Sequence, residues 1–97
     1  MIVDFGDETT RDIYDGDDTR AARKVPKPLW NVARRKLDLL NGVHALRDLG
    51  FPAGNRLEKL KGGLAEKYSI RINDQYRIVF KFADGNVQDV RITDYHS

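Results

Sequence analysis

A chain of 97 residues with no cysteine and a net charge of +2 is read as a single domain, spanning 1–97 and too short to enclose a large active site. Its composition excludes disulfide staples, thiolate zinc and a cysteine nucleophile, and the two distant histidines, His44 and His96, support no metal site, so neither metal nor cofactor is expected. No apolar run reaches the length of a membrane span and no basic-then-apolar export signal opens the chain, so a cytoplasmic protein without a membrane partner is expected.

In chain order, Ile2–Phe5 reads as a short first strand. Asp7 is placed to cap a short helix through Ile13 and Tyr14, with Gly16 as its stop. The polar stretch Asp15–Lys27 reads as a connecting loop. Pro28 suits a helix start, because its missing N–H would be unpaired there anyway. Leu29, Ala33, Leu37 and Leu40 then fall on one helical stripe, and Asn41-Gly42 supplies its end. Val43–Leu49 predicts a further helical turn, closed by Gly50 and Pro52.

The second half changes period. Tyr68, Ile70 and Ile72 alternate with Ser69 and Arg71, and Tyr76, Ile78, Phe80 and Phe82 alternate with Arg77, Val79 and Lys81. Val87, Val90 and Ile92 mark a last strand, and Arg56–Leu60 is a candidate for another. Asn73-Asp74 and Asp84-Gly85 supply hairpin turns. The layout predicts an α+β, two-layer fold: an N-terminal strand, two helices, then a mainly antiparallel sheet of three to four further strands.

Charge is distributed unevenly. Residues 1–18 carry seven acids against Arg11, a net of −6, whereas residues 19–97 carry 16 basic and eight acidic side chains, a net of +8. A basic body suits a polyanion, and equally an ordinary solvated surface. Strand parity sharpens the choice. If Ile70, Ile72, Ile78 and Phe80 face the helices, Arg71, Arg77, Lys81 and Arg91 face the other way. With Lys59, Lys61 and Lys67 close in sequence and few acids beside them, a polyanion groove is expected on that sheet face.

The segments Arg56-Leu-Glu-Lys-Leu-Lys-Gly62, Tyr68-Ser-Ile-Arg-Ile-Asn-Asp-Gln-Tyr-Arg-Ile-Val-Phe80 and Ile92-Thr-Asp-Tyr-His96 together resemble the HigB branch of the RelE/ParE toxin superfamily, the plasmid-maintenance killer proteins. The resemblance is strong over 56–96 and loose over 1–55. It implies the toxin of a type II toxin–antitoxin system: a metal-independent endonuclease that cuts mRNA in the A site of the 70S ribosome. It also implies a cognate helix-turn-helix antitoxin of the HigA kind. Carried over residue by residue, the active site would comprise Lys61, Arg77, Asp94, Tyr95 and His96. The chain departs from the family at Glu58, where many relatives place a histidine.

Metal-free RNA cleavage uses the substrate 2′-OH as nucleophile and needs a proton acceptor, a proton donor and cations around the phosphorane. His96 suits proton transfer. Lys61 and Arg77 suit the developing charge. Arg71 and Lys59 suit flanking phosphates, Arg71 through a bidentate contact. Tyr95 suits stacking on a base or orienting the hydroxyl. Asp94 suits fixing the imidazole tautomer or acting as base, and Glu58 is a further acid/base candidate.

Each residue also has a plain reading. His96 stands at a terminus, where side chains are often frayed. Tyr95 as an edge-packing ring, Asp94 as a partner of Arg91 or a loop cap, and Glu58 as a surface acid are all ordinary. His44 suits packing or capping, and Trp30 suits the core or an antitoxin interface. Parity sets Asp94 and His96 with Val90 and Ile92, so either the chain leaves the sheet after Ile92 or a bulge resets the alternation. Two other functions stay open: a non-enzymatic ParE-like gyrase inhibitor, and a catalytically degenerate RNA-binding relative.

Overall fold

The computed structural model describes residues 1–51, 53–60 and 67–95. Two helices, α1 (Glu8–Asp15) and α2 (Trp30–Gly42), precede four strands: β1 (Glu58–Lys59), β2 (Lys67–Arg71), β3 (Tyr76–Ala83) and β4 (Asn86–Asp94). The strands form one antiparallel sheet in the order β1-β2-β3-β4. The N-terminal segment lies parallel against β4, bridging Ile2 to Val87 and Phe5 to Val90. The domain is therefore α+β, with helices on one face of a mainly antiparallel sheet.

Local chemistry accounts for the helix ends. The Asp7 carboxylate accepts from the Thr10 N–H at 2.8 Å, and Gly16 closes α1 in the left-handed region at φ 81°. On α2, Trp30, Ala33, Leu37 and Leu40 are buried, so the predicted stripe holds from Ala33 onward, whereas Leu29 precedes the helix and is only partly buried, with Trp30 filling the core in its place. The ring N–H of Trp30 donates to the Val25 carbonyl at 2.8 Å, so that indole belongs to the core. Ile13, Leu37, Leu40, Ile70, Ile78, Phe80, Val87 and Val90 are fully buried where the helices meet the sheet. Thr10 ties α1 to β4 by accepting from the Ile92 N–H at 2.8 Å.

Four expectations are corrected or refined. Asp15–Lys27 is more than a loop: Ala22 and Val25 are buried and a 3₁₀ turn spans Ala22–Lys24. Two apolar residues among charges give no period, so the pattern conceals them. The turn after α2 is a 3₁₀ helix at Leu46–Gly50. The strand expected over 56–60 is reduced to Glu58–Lys59, because Arg56 adopts a left-handed φ of 45°. The β2–β3 loop includes Gln75 as well as Asn73-Asp74, since the Asn73 carboxamide accepts from the Gln75 and Tyr76 N–H groups at 2.9 and 2.7 Å. The β3–β4 turn is the predicted Asp84-Gly85, both residues at positive φ (52° and 79°), as a type I′ hairpin requires.

A β-bulge occurs in β4. Val79 pairs with Arg91 and Lys81 with Gln88, so Asp89 and Val90 together oppose Phe80. Asp89 takes the left-handed conformation, φ 51°. This extra residue allows Val87 and Val90, three apart, both to be buried.

Candidate functional site

The sheet face away from the helices is built in rows. Glu58, Ser69, Val79 and Arg91 form one row, Arg71, Arg77 and Thr93 the next, and Lys67, Lys81 and Gln88 lie in a third. Arg71 thus stands directly across from Arg77, and Lys67 from Lys81. Like charges placed directly opposite are unfavourable, by about 0.2–1 kcal/mol per pair. Two such pairs on one face are hard to explain by solvation alone.

Acids reduce that repulsion, contrary to the expectation that few lie nearby. Arg71 Nη2 meets Asp74 Oδ1 at 2.5 Å, and Arg77 Nη2 lies 3.9 Å from Glu58 Oε2. Asp89 holds both Lys67 (3.4 Å) and Arg91 (3.0 Å). Burial pushes the Asp89 carboxyl up, but hydrogen bonds and charge from Arg91 and Lys67 outweigh it and keep the group below its ordinary value. Lys81 is exposed and has no acidic partner among the described residues.

The two arginines are held differently. Arg71 pairs with an Asp74 side chain that is 98% exposed. Arg77, only 11% exposed, donates through Nε to Ser69 Oγ at 2.8 Å and through Nη2 to the carbonyls of Arg56 (2.5 Å) and Ser69 (3.3 Å). Around them an open cleft of about 390 Å³ is lined by Arg56, Glu58, Arg71, Asn73, Asp74, Arg77 and Tyr95.

The structure brings Arg71, Arg77, Glu58 and Tyr95 into this one cleft. Lys59 pairs with Tyr68, whose ring stacks on Phe80, so it points to the helix side of the sheet rather than to the cleft. Asp94 also falls on the helix side: it pairs with Tyr76, accepts from the Gln75 side chain at 3.2 Å and lines a separate hollow with Thr9, Lys24 and Ile92. The bulge at Asp89 precedes Ile92 and β4 runs on through Asp94, so neither route expected to turn Asp94 operates. Tyr95 reaches the cleft, with its N–H held by the Gln75 carbonyl at 2.6 Å. Lys61 and His96 lie outside the described residues.

Arg56 is a cleft residue that sequence reasoning missed. Its only signal was its position at the head of the Arg-Leu-Glu-Lys-Leu-Lys-Gly run. On the next edge, Lys36 donates to the buried Asn55 side chain. Burial, then the charges of Arg35 and Arg71, lower the pKa of Lys36.

The model of the RelE-like toxin of the type II toxin–antitoxin system HigB matches residues 3–96. The chain belongs to the HigB-like toxin family. This HigB-like toxin is 39% identical over 85 residues to Toxin HigB-1 of Vibrio cholerae serotype O1, covering 88% of the chain and 87% of that protein. A Haemophilus influenzae protein of uncharacterised function is 36% identical over 93 residues, covering 96% and 89%. The fold also resembles a chain of the Staphylococcus aureus YoeB–YefM toxin–antitoxin complex, with a TM-score of 0.59 and 22% identity over 100% of this chain and 97% of that one. At that identity the likeness concerns the fold alone. Among the described residues, no helix of this HigB-like toxin is long and apolar enough to cross a membrane.

Proposed function

We propose that this HigB-like toxin is a ribosome-dependent, metal-independent endoribonuclease that cuts mRNA in the A site of the 70S ribosome in the cytoplasm and so stops translation. The observation that carries the reading is the cross-strand Arg71–Arg77 pair beside Tyr95 and Glu58 in one open cleft. The cleft lining sets Arg56, Arg71 and Arg77 against Glu58 and Asp74, so a positive excess remains for a phosphodiester to meet, and an RNA base supplies a partner for the ring.

In this reaction the substrate 2′-oxygen forms a bond to the adjacent phosphorus while the bond to the 5′-oxygen breaks. The products are a 2′,3′-cyclic phosphate and a 5′-hydroxyl. The proton of the 2′-OH goes to a base on the protein and another proton goes to the departing oxygen. Arg77 stabilises the non-bridging oxygens, with Lys61 in the same role. Arg71 grips a neighbouring phosphate. His96 transfers one proton, and Glu58, beside Arg77, is better placed than Asp94 to take the other. Tyr95 stacks on a base or orients the hydroxyl. A cognate helix-turn-helix antitoxin neutralises the toxin.

Expression without antitoxin should arrest bacterial growth and leave mRNA cut within translated regions. Normal growth at confirmed soluble expression would overturn the toxin reading. Arrest with intact mRNA and broken DNA would replace it with gyrase inhibition.

A further inference from the structure

Arg77 has an unusually complete set of internal partners for a residue that must meet a substrate. Three acceptors from two segments engage Nε and Nη2: the Ser69 hydroxyl, the Ser69 carbonyl and the Arg56 carbonyl. Two edges of a planar group fixed in this way set its plane, and the Nη1 edge has no hydrogen bond among the described residues. Ser69 is fully buried, so its hydroxyl has no water to turn to and Arg77 is its natural partner. The Arg56 carbonyl is aimed by a left-handed backbone, φ 45°, which is uncommon for a residue other than glycine.

We propose that Ser69 and the left-handed backbone of Arg56 are positioning elements for Arg77, locking its guanidinium so that the Nη1 edge faces the reacting phosphate. This rests on the nuclease reading and adds to it. Arg71, tied among the described residues to the exposed Asp74 carboxylate, adapts to the RNA, whereas Arg77 is prepared before the RNA arrives. Preorganised donors stabilise developing charge without reorganising at the moment of reaction. The plain alternative is that Arg77 merely staples the Arg56–Glu58 segment to the sheet.

Single-turnover cleavage on programmed ribosomes separates the two when Ser69→Ala is measured alone and in an Arg77→Ala background. Displacing a positioned group by about 1 Å lowers rate by up to about a hundredfold, so Ser69→Ala should cut about ten- to a hundredfold more slowly. Ribosome binding should stay within about twofold. In the Arg77→Ala background the same change should add no further loss, because it acts only through Arg77. The Arg77 Nε–H, bonded to Ser69 Oγ, should be protected from exchange in the wild type and should exchange faster in Ser69→Ala.

A second pair keeps the test decisive if Ser69→Ala does not fold. Arg56→Asn and Arg56→Val both remove the side chain, but only valine resists a positive φ. Arg56→Asn should keep the protected Arg77 resonance, and Arg56→Val should lose it. Ser69→Ala cleavage within about twofold of wild type, an equal further loss in the Arg77→Ala background, or identical Arg77 resonances in the two Arg56 variants would each overturn the proposal. A wild type that cannot cut programmed ribosomes would instead overturn the nuclease reading, leaving the resonance comparison to decide whether Arg77 is locked.

Discussion

At the residue scale, position in the sheet separates side chains that look equivalent in sequence. Arg71 and Arg77 share a face but not a degree of constraint. Arg71→Ala should mainly weaken binding to the ribosome–mRNA complex and reduce its salt slope by about one unit, read from binding measured at several salt concentrations. Arg77→Ala should leave binding closer to wild type and slow the cleavage step. Asp94 and Glu58 divide in the same way. Glu58 lines the cleft and Asp94 lies on the helix side, so Glu58→Gln should slow single-turnover cleavage by about a hundredfold or more if it takes the proton. Asp94→Asn should change the rate by only about threefold, well below the effect of removing a proton-transfer group. The reverse order would return Asp94 to the site.

At the element scale, the bulge in β4 joins the N-terminal segment to the charged rows of the sheet. Asp89 sits there at positive φ, its N–H donates to the Asp4 carboxylate at 2.5 Å, and its own carboxylate holds Lys67 and Arg91. Gly6 packs closely beside it: a Cβ there would come within 2.2 Å of Arg91 Nε and 2.3 Å of Asp89 Oδ1, so the Arg91–Asp89 pair would have to shift. Asp89→Asn keeps a residue that tolerates the left-handed region and removes only the charge. Because folding lowers the Asp89 pKa, its charge stabilises the fold above the ordinary carboxylate value of about 4, and this stabilisation is lost as pH falls through the lower folded value. Asp89→Asn should therefore lower stability by up to about 1 kcal/mol at neutral pH, and the gap should close in acid. Urea unfolding of both proteins from pH 7 to pH 2 checks this, and a gap that widens in acid would contradict it.

At the scale of the whole molecule, the acidic N-terminal segment has a structural use. It covers the outer edge of β4 through four backbone hydrogen bonds: Val3 and Gly6 donate to the carbonyls of Val87 and Val90 (both 2.8 Å), and Val87 and Val90 donate to Met1 (2.9 Å) and Asp4 (3.3 Å). At about 0.5–1.5 kcal/mol net for each bond, deleting residues 1–6 removes all four and should destabilise the domain by about 2–6 kcal/mol. The uncovered edge should also promote self-association, visible by size-exclusion chromatography. Unchanged unfolding midpoint and elution would show that the segment contributes nothing to the edge.

The sequence by itself determined the two α-helices, the three long strands and the side of the sheet on which the arginines lie. Side chains repeat every 3.6 residues on a helix and every two on a strand, so Leu37 and Ile78 had to be buried and Arg71 and Arg77 had to share the opposite face. The Asp84-Gly85 turn was equally legible, because a type I′ hairpin demands residues that accept positive φ. Tertiary structure alone decided the rest. Parity placed Asp94 with Ile92, but only the strand ending and the route of Tyr95 showed that one faces the helices while the other reaches the cleft. Arg56 and Ser69 were not legible as partners of Arg77, because a backbone carbonyl and a buried hydroxyl become a receptor only when segments distant in sequence meet. Local periodicity fixes which way a side chain points, and long-range packing fixes what it finds there.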